Sequence, residues 1–116
     1  MELTLSKRDG FTIAATKGAI DESARESFRE QLHPLVGQKG TRIIVDLSAS
    51  PRINSAGIGN LVALTADANT NESKVILCGP QTYVRMVISI TKLDKFFTMA
   101  PDLDAAEAMC REEKAE

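Results

Sequence analysis

Two short runs, Ile43-Ile44-Val45 and Val75-Ile76-Leu77-Cys78, are apolar at consecutive positions rather than at alternate ones. A strand of that kind has no face to give to water, so it belongs in the middle of a sheet covered by helices on one or both sides. Between the runs, Ile58, Leu61, Val62 and Thr65 fall on one helical stripe. Strand, helix and strand in that order imply parallel pairing through a right-handed crossover. The chain is therefore an α/β protein, and its other segments must fit around that unit.

Before the first run, Leu3 and Leu5 alternate with polar residues, and Phe11, Ile13 and Ala15 alternate with Thr12 and Ala14. Asp9-Gly10 separates the two stretches, so they read as half-buried strands joined in a hairpin. Ala24, Phe28, Leu32 and Leu35 then share a helical face. Ser23 with Glu26 fits a capping box, Asp21 is an alternative cap, and Pro34 marks where regular helix stops. Tyr83, Met86, Val87 and Ile90 form a further stripe behind Pro80, which suits a first turn. Phe96-Phe97 reads as a short last strand. A final helix runs through Leu103, Ala106 and Cys110, with Asp104 and Glu107 at capping-box spacing. The expected order is β-β-α-β-α-β-α-β-α: one mixed, largely parallel sheet flanked by helices.

The chain has 116 residues, the length of one ordinary domain. Fourteen Lys and Arg against 16 Asp and Glu leave a net charge of -2. That balance speaks against a protein that grips nucleic-acid backbones. No apolar run approaches the roughly 18 residues of a membrane helix. Met1-Glu2-Leu3-Thr4 alternates and carries an acid, unlike a secretory signal. Cys78 and Cys110 form no CxxC pair, which suits a reducing, cytoplasmic setting. With one histidine and no Cys/His cluster, neither a zinc site nor any other metal or cofactor is expected. Gly57-x-Gly59 lacks the third glycine of a dinucleotide loop, and no nucleophile–base constellation can be assembled, so no catalytic residue is expected.

The segment most able to carry a function follows the first central strand, which should end near Leu47. A loop from Ser48 to Ile53 leads into a helix beginning close to Asn54. It lies off the carboxyl end of a parallel strand, where α/β proteins place binding sites. Asn54 is a strong N-cap type. Ser55, Ala56 and Gly57 would occupy the first turn, where free amides and the helix dipole favour an anion such as a phosphoserine. Gly57 and Gly59 remove bulk, for internal packing or for close approach by a partner.

The run from Val45 to Leu61, VDLSASPRINSAGIGNL, resembles the signature of the STAS domain family, the fold of bacterial anti-sigma factor antagonists. There a V-D-L-like strand end leads into D-S-S-G-L-G or D-S-T-G-L-G, matched here by Asn54-Ser55-Ala56-Gly57-Ile58-Gly59. Gly18-Ala19-Ile20-Asp21 resembles the family's G-x-L-D, and the element order agrees over nearly the whole chain. The resemblance implies one STAS domain over residues 1–116. It implies a non-enzymatic, cytoplasmic regulator that binds a kinase-type anti-sigma factor, a serine protein kinase with a histidine-kinase-like ATPase fold, and so releases a sigma factor. The implied partner surface is Asp21, Ser48, Ser50, Asn54, Ser55, Ala56, Gly57 and Gly59, with homodimers compatible with it and neither nucleic-acid binding nor membrane insertion expected.

Two departures matter. The family's phosphorylated hydroxyl sits just before the first glycine, where this chain has Ala56, and the family's aspartate is Asn54. Ser55 remains as the candidate phosphorylation site. The chain is then switched at Ser55, binds without a switch, or serves another partner. The alternatives are an accessory subunit of a lipid-trafficking ABC transporter and a stressosome-like scaffold subunit. Elsewhere, Asp46 reads as exposed at the sheet edge or bonded to loop amides, Arg52, Lys74 and His33 as surface, Cys78 as buried and inert, and Cys110 as partly buried. Tyr83, Val84 and Met86 read mainly as core packing of their helix; the resemblance places that helix beside the signature loop and so implies that part of its surface contributes to docking.

Overall fold

The computed structural model describes residues 1–115, with side chains to Arg111. The elements are β1 (Glu2–Arg8), β2 (Phe11–Lys17), α1 (Ala24–Gln31), α2 (His33–Val36), β3 (Arg42–Ala49), α3 (Ser55–Thr70), β4 (Lys74–Cys78), α4 (Thr82–Ile90), β5 (Thr98–Ala100) and α5 (Leu103–Ala115). They build one five-stranded sheet in the order β1-β2-β3-β4-β5. β1 and β2 are antiparallel, and every later pairing is parallel.

The consecutive apolar runs are explained by two cores. Ile43, Val45, Leu47, Val75 and Leu77 point to the face covered by α1 to α4. Ile44, Ile76 and Cys78 point to the other face, beneath Ala106 and Cys110 of α5. Because side chains alternate along a strand, both sets must be apolar for β3 and β4 to lie between two layers.

Several local expectations change. Ser23 makes no side-chain cap; instead Asp21 accepts hydrogen bonds from the Ser23 amide and hydroxyl. A two-residue turn that puts the carboxylate ahead of the helix satisfies an amide earlier than the capping box would. Pro34 does end regular helix, but a four-residue helix, α2, holds it in its own first turn. α5 is capped by Asp102 on the Ala105 amide rather than by Asp104. β5 is Thr98–Ala100, not Phe96-Phe97. Phe96 and Phe97 form the turn before it, and only Phe97 is buried. His33 is half-buried, its Nδ1 2.8 Å from Asp67 Oδ2, so it ties α2 to α3 rather than facing solvent alone. Cys110 is 1 % exposed, more deeply buried than its helix position suggests.

Candidate functional site

β3 runs two residues beyond Leu47, to Ala49, and leaves the sheet at its carboxyl edge. The departing chain is stitched to the segment after β2. The Gly18 amide donates to the Ala49 carbonyl, the Ile20 amide to the Arg52 carbonyl, and the Asn54 amide to the Ile20 carbonyl. Ile20 and Ile53 form an isolated parallel bridge. Gly18–Asp21 and Asn54–Gly59, far apart in sequence, thus become one surface feature.

Asn54 is extended and its Oδ1 accepts from the Gly57 amide at 2.9 Å, capping α3. Its Nδ2 donates to Glu22 Oε2 at 3.1 Å, and Asn60 Nδ2 donates to the Asp21 carbonyl at 3.1 Å. Hydrogen bonds from the Ser23 hydroxyl and then its amide hold the Asp21 carboxyl below its ordinary pKa, so it is an anion at neutral pH. Replacing Asn54 by Ala is expected to cost about 1 kcal/mol in urea unfolding, while Asp, which keeps the cap oxygen, costs less.

The eight residues of the expected partner surface divide by exposure. Ser48, Asn54, Ser55, Ala56 and Gly59 are exposed, and Asp21 is half-exposed. Ser50 is fully buried, its hydroxyl 2.6 Å from that of Thr16, which also donates to the Asp46 carbonyl. Gly57 is buried as well: a Cβ there would lie 2.0 Å from the Ile20 carbonyl oxygen. These two shape the loop from within. Gly59 differs, since a Cβ there would meet nothing within 4 Å. Asp46 accepts from the Ser48 amide at 3.0 Å, and Gln81 Nε2 donates to the Ser48 carbonyl at 2.8 Å, which docks the start of α4 beside the loop. Burial, with Asp46 as a lesser cause, pushes the Cys78 thiol up to about 12, so it stays protonated.

Sequence reasoning passed over Glu22, Asn60 and Gln81, whose side chains bind the tip and loop together. Their only signal was polarity next to the motifs. It also reversed α4. The core face is Val84 and Ile88, whereas Tyr83, Met86 and Ile90 are among the exposed residues. Six of the nine α4 residues are aliphatic, aromatic or methionine, more than one buried stripe requires, and that surplus was the missed signal. A groove lined by Ile53, Asn54, Ser55, Ile58, Tyr83, Val87 and Thr91 separates the α3 tip from α4.

Comparison with known proteins matches the STAS domain family model to residues 2–106. A Bordetella bronchiseptica protein, BtrV, named as a candidate anti-sigma factor antagonist, is 28 % identical over 108 residues, 93 % of each chain. An anti-sigma factor antagonist from Mycobacterium paratuberculosis superposes with a TM-score of 0.75 at 25 % identity, over 95 % of this chain and 93 % of that one. A point-substituted RsbS from Moorella thermoacetica superposes over the whole of both chains with a TM-score of 0.83 at 19 % identity.

Proposed function

The chain belongs to the STAS domain family, and from that premise we propose that it is an anti-sigma-factor-antagonist-like regulator that works by binding a protein. Its partner is a kinase-type anti-sigma factor, and docking releases a sigma factor from it. The observation that carries this reading is the exposed tip of α3. Asn54, Ser55 and Ala56 are presented to solvent, held from behind by Gly57 on the Ile20 backbone and flanked by Asp21 and Glu22. The tip is bonded from two sides, which suits recognition with little ordering cost.

Ser55 is the one hydroxyl in the Asn54–Gly57 turn. The groove it lines holds no Lys or Arg, the Glu22 carboxylate is bonded to the neighbouring Asn54, and the Asp21 carbonyl to Asn60 of the same helix. A phosphate on Ser55 therefore finds no cation of its own to pair with there. It acts outward, by adding charge to a surface that must be desolvated on docking.

The test is capture from the source organism's lysate on the unmodified chain, with identification by mass spectrometry. An ATP-binding anti-sigma kinase is the expected protein; an ABC-type ATPase would replace this reading with that of a transporter subunit. Incubation with the captured kinase and ATP is expected to place phosphate on Ser55, read as a peptide mass shift that Ser55→Ala removes. Phosphate on another residue, with binding lost, would move the switch away from the α3 tip.

A further inference from the structure

Resting on the partner-binding reading above, we propose that the outward face of α4 and the turn after it form a second part of the docking surface, built for a protein element that is apolar at its centre and acidic at its rim. Of the five exposed large apolar side chains among the described residues, four lie in the short stretch from Tyr83 to Phe96: Tyr83 at 48 %, Met86 at 49 %, Ile90 at 70 % and Phe96 at 40 % exposure. Isolated exposed apolar residues are ordinary, but their concentration in one segment marks an interaction site. Val84 and Ile88 already anchor α4 to the core, so the fold does not account for Tyr83, Met86 and Ile90, while Phe96 packs edge-on against the buried Phe97 at their margin.

The face has direction. Val87 and Tyr83 line the groove that Ser55 also lines, and the stripe continues outward from there through Ile90 and Met86. A partner seated on the α3 tip meets this stripe next. The charge of the segment identifies the partner's chemistry. In the turn after α4, Lys92 and Lys95 accompany a single acid, Asp94, in a chain whose net charge is -2, while Arg85 lines a separate pocket with Pro80 and Met99. All four are exposed. Complementarity therefore calls for acids around an apolar centre. It also fits the switch, because a phosphate on Ser55 would face a surface that is already acidic. A lipid surface fits less well. It needs no groove, and two lysines beside an aspartate supply little attraction to an anionic membrane.

The test uses the full chain and the kinase recovered by lysate capture, purified and measured by calorimetry. Met86→Ser with Ile90→Ser is expected to weaken binding about thirtyfold, and Lys92→Glu with Lys95→Glu about tenfold with a flatter salt dependence. Circular dichroism melts should stay near the parent, since these side chains are exposed. If both double variants bind within twofold of the parent while Ser55→Glu does not bind, the α4 proposal is overturned and the α3 tip stands. If Ser55→Glu also binds normally, Ser55 lies outside the contact and the α4 proposal, which continues from it, is overturned; if no kinase is recovered, the partner reading itself fails and takes this proposal with it. Two further results overturn it. One is loss of sedimentation with phosphatidylserine–phosphatidylcholine vesicles in place of loss of kinase binding. The other is a dimer in analytical ultracentrifugation that the Met86 and Ile90 changes disperse.

Discussion

Gly57→Ala is expected to lower unfolding free energy by about 3 kcal/mol and the melting temperature by about 10 °C or more. Alanine normally gains about 1 kcal/mol over glycine inside a helix, so the sign rests on geometry. The added Cβ would lie 2.0 Å from the Ile20 carbonyl oxygen and 2.7 Å from its carbon. Both are backbone atoms, and no rotamer change can move them aside. That same carbonyl accepts the Asn54 amide, so relief of the clash breaks the stitch between the two loops. Gly59→Ala is the control, two residues along the same helix. Its Cβ enters open space, so stability is expected to rise by about 0.5 to 1 kcal/mol. Urea titrations of both variants separate the two roles. A Gly57→Ala protein as stable as the parent would show that the tip does not depend on that contact.

The pair also shows where sequence reasoning reaches and where it stops. Ile43-Ile44-Val45 and Val75-Ile76-Leu77-Cys78 had only one physical solution, a strand covered on both faces, and the two cores supply it. Asn54 was readable as a cap because capping depends on a side chain and three following amides, all local. The difference between Gly57 and Gly59 was not readable, since it depends on Ile20, which tertiary structure brings to one of them. Ser50 was misplaced for the same reason: its partner, Thr16, is on another strand. α4 went wrong differently. Its apolar residues cover most of the helix, and periodicity cannot choose which part of so broad a sector faces the sheet. β5 was displaced by two residues because aromatic pairs suit a strand and a packed turn alike.

Ser55→Glu, or a phosphate at the same residue, is expected to separate binding from stability. A negative charge in the first turn of α3 meets the positive end of the helix dipole, worth about 0.3 to 1 kcal/mol in favour of the fold. Melting temperature should therefore hold or rise slightly. Binding should move the other way. The carboxylate joins Asp21 and Glu22 on a surface that loses its water on docking, and the groove beside it supplies no cation. Uncompensated charge at an interface costs about 2 to 4 kcal/mol, a loss of about thirtyfold to a thousandfold in affinity for the anti-sigma kinase. Because part of that cost is like-charge repulsion, added salt should recover a fraction of it. Ser55→Ala should bind as the parent does and resist ATP-dependent release. A glutamate variant that melts normally yet binds as tightly as the parent would place Ser55 outside the contact, whereas one that both unfolds and fails to bind would show a damaged fold rather than a switch. The opposite signs of the two effects distinguish regulation at the α3 tip from simple loss of structure.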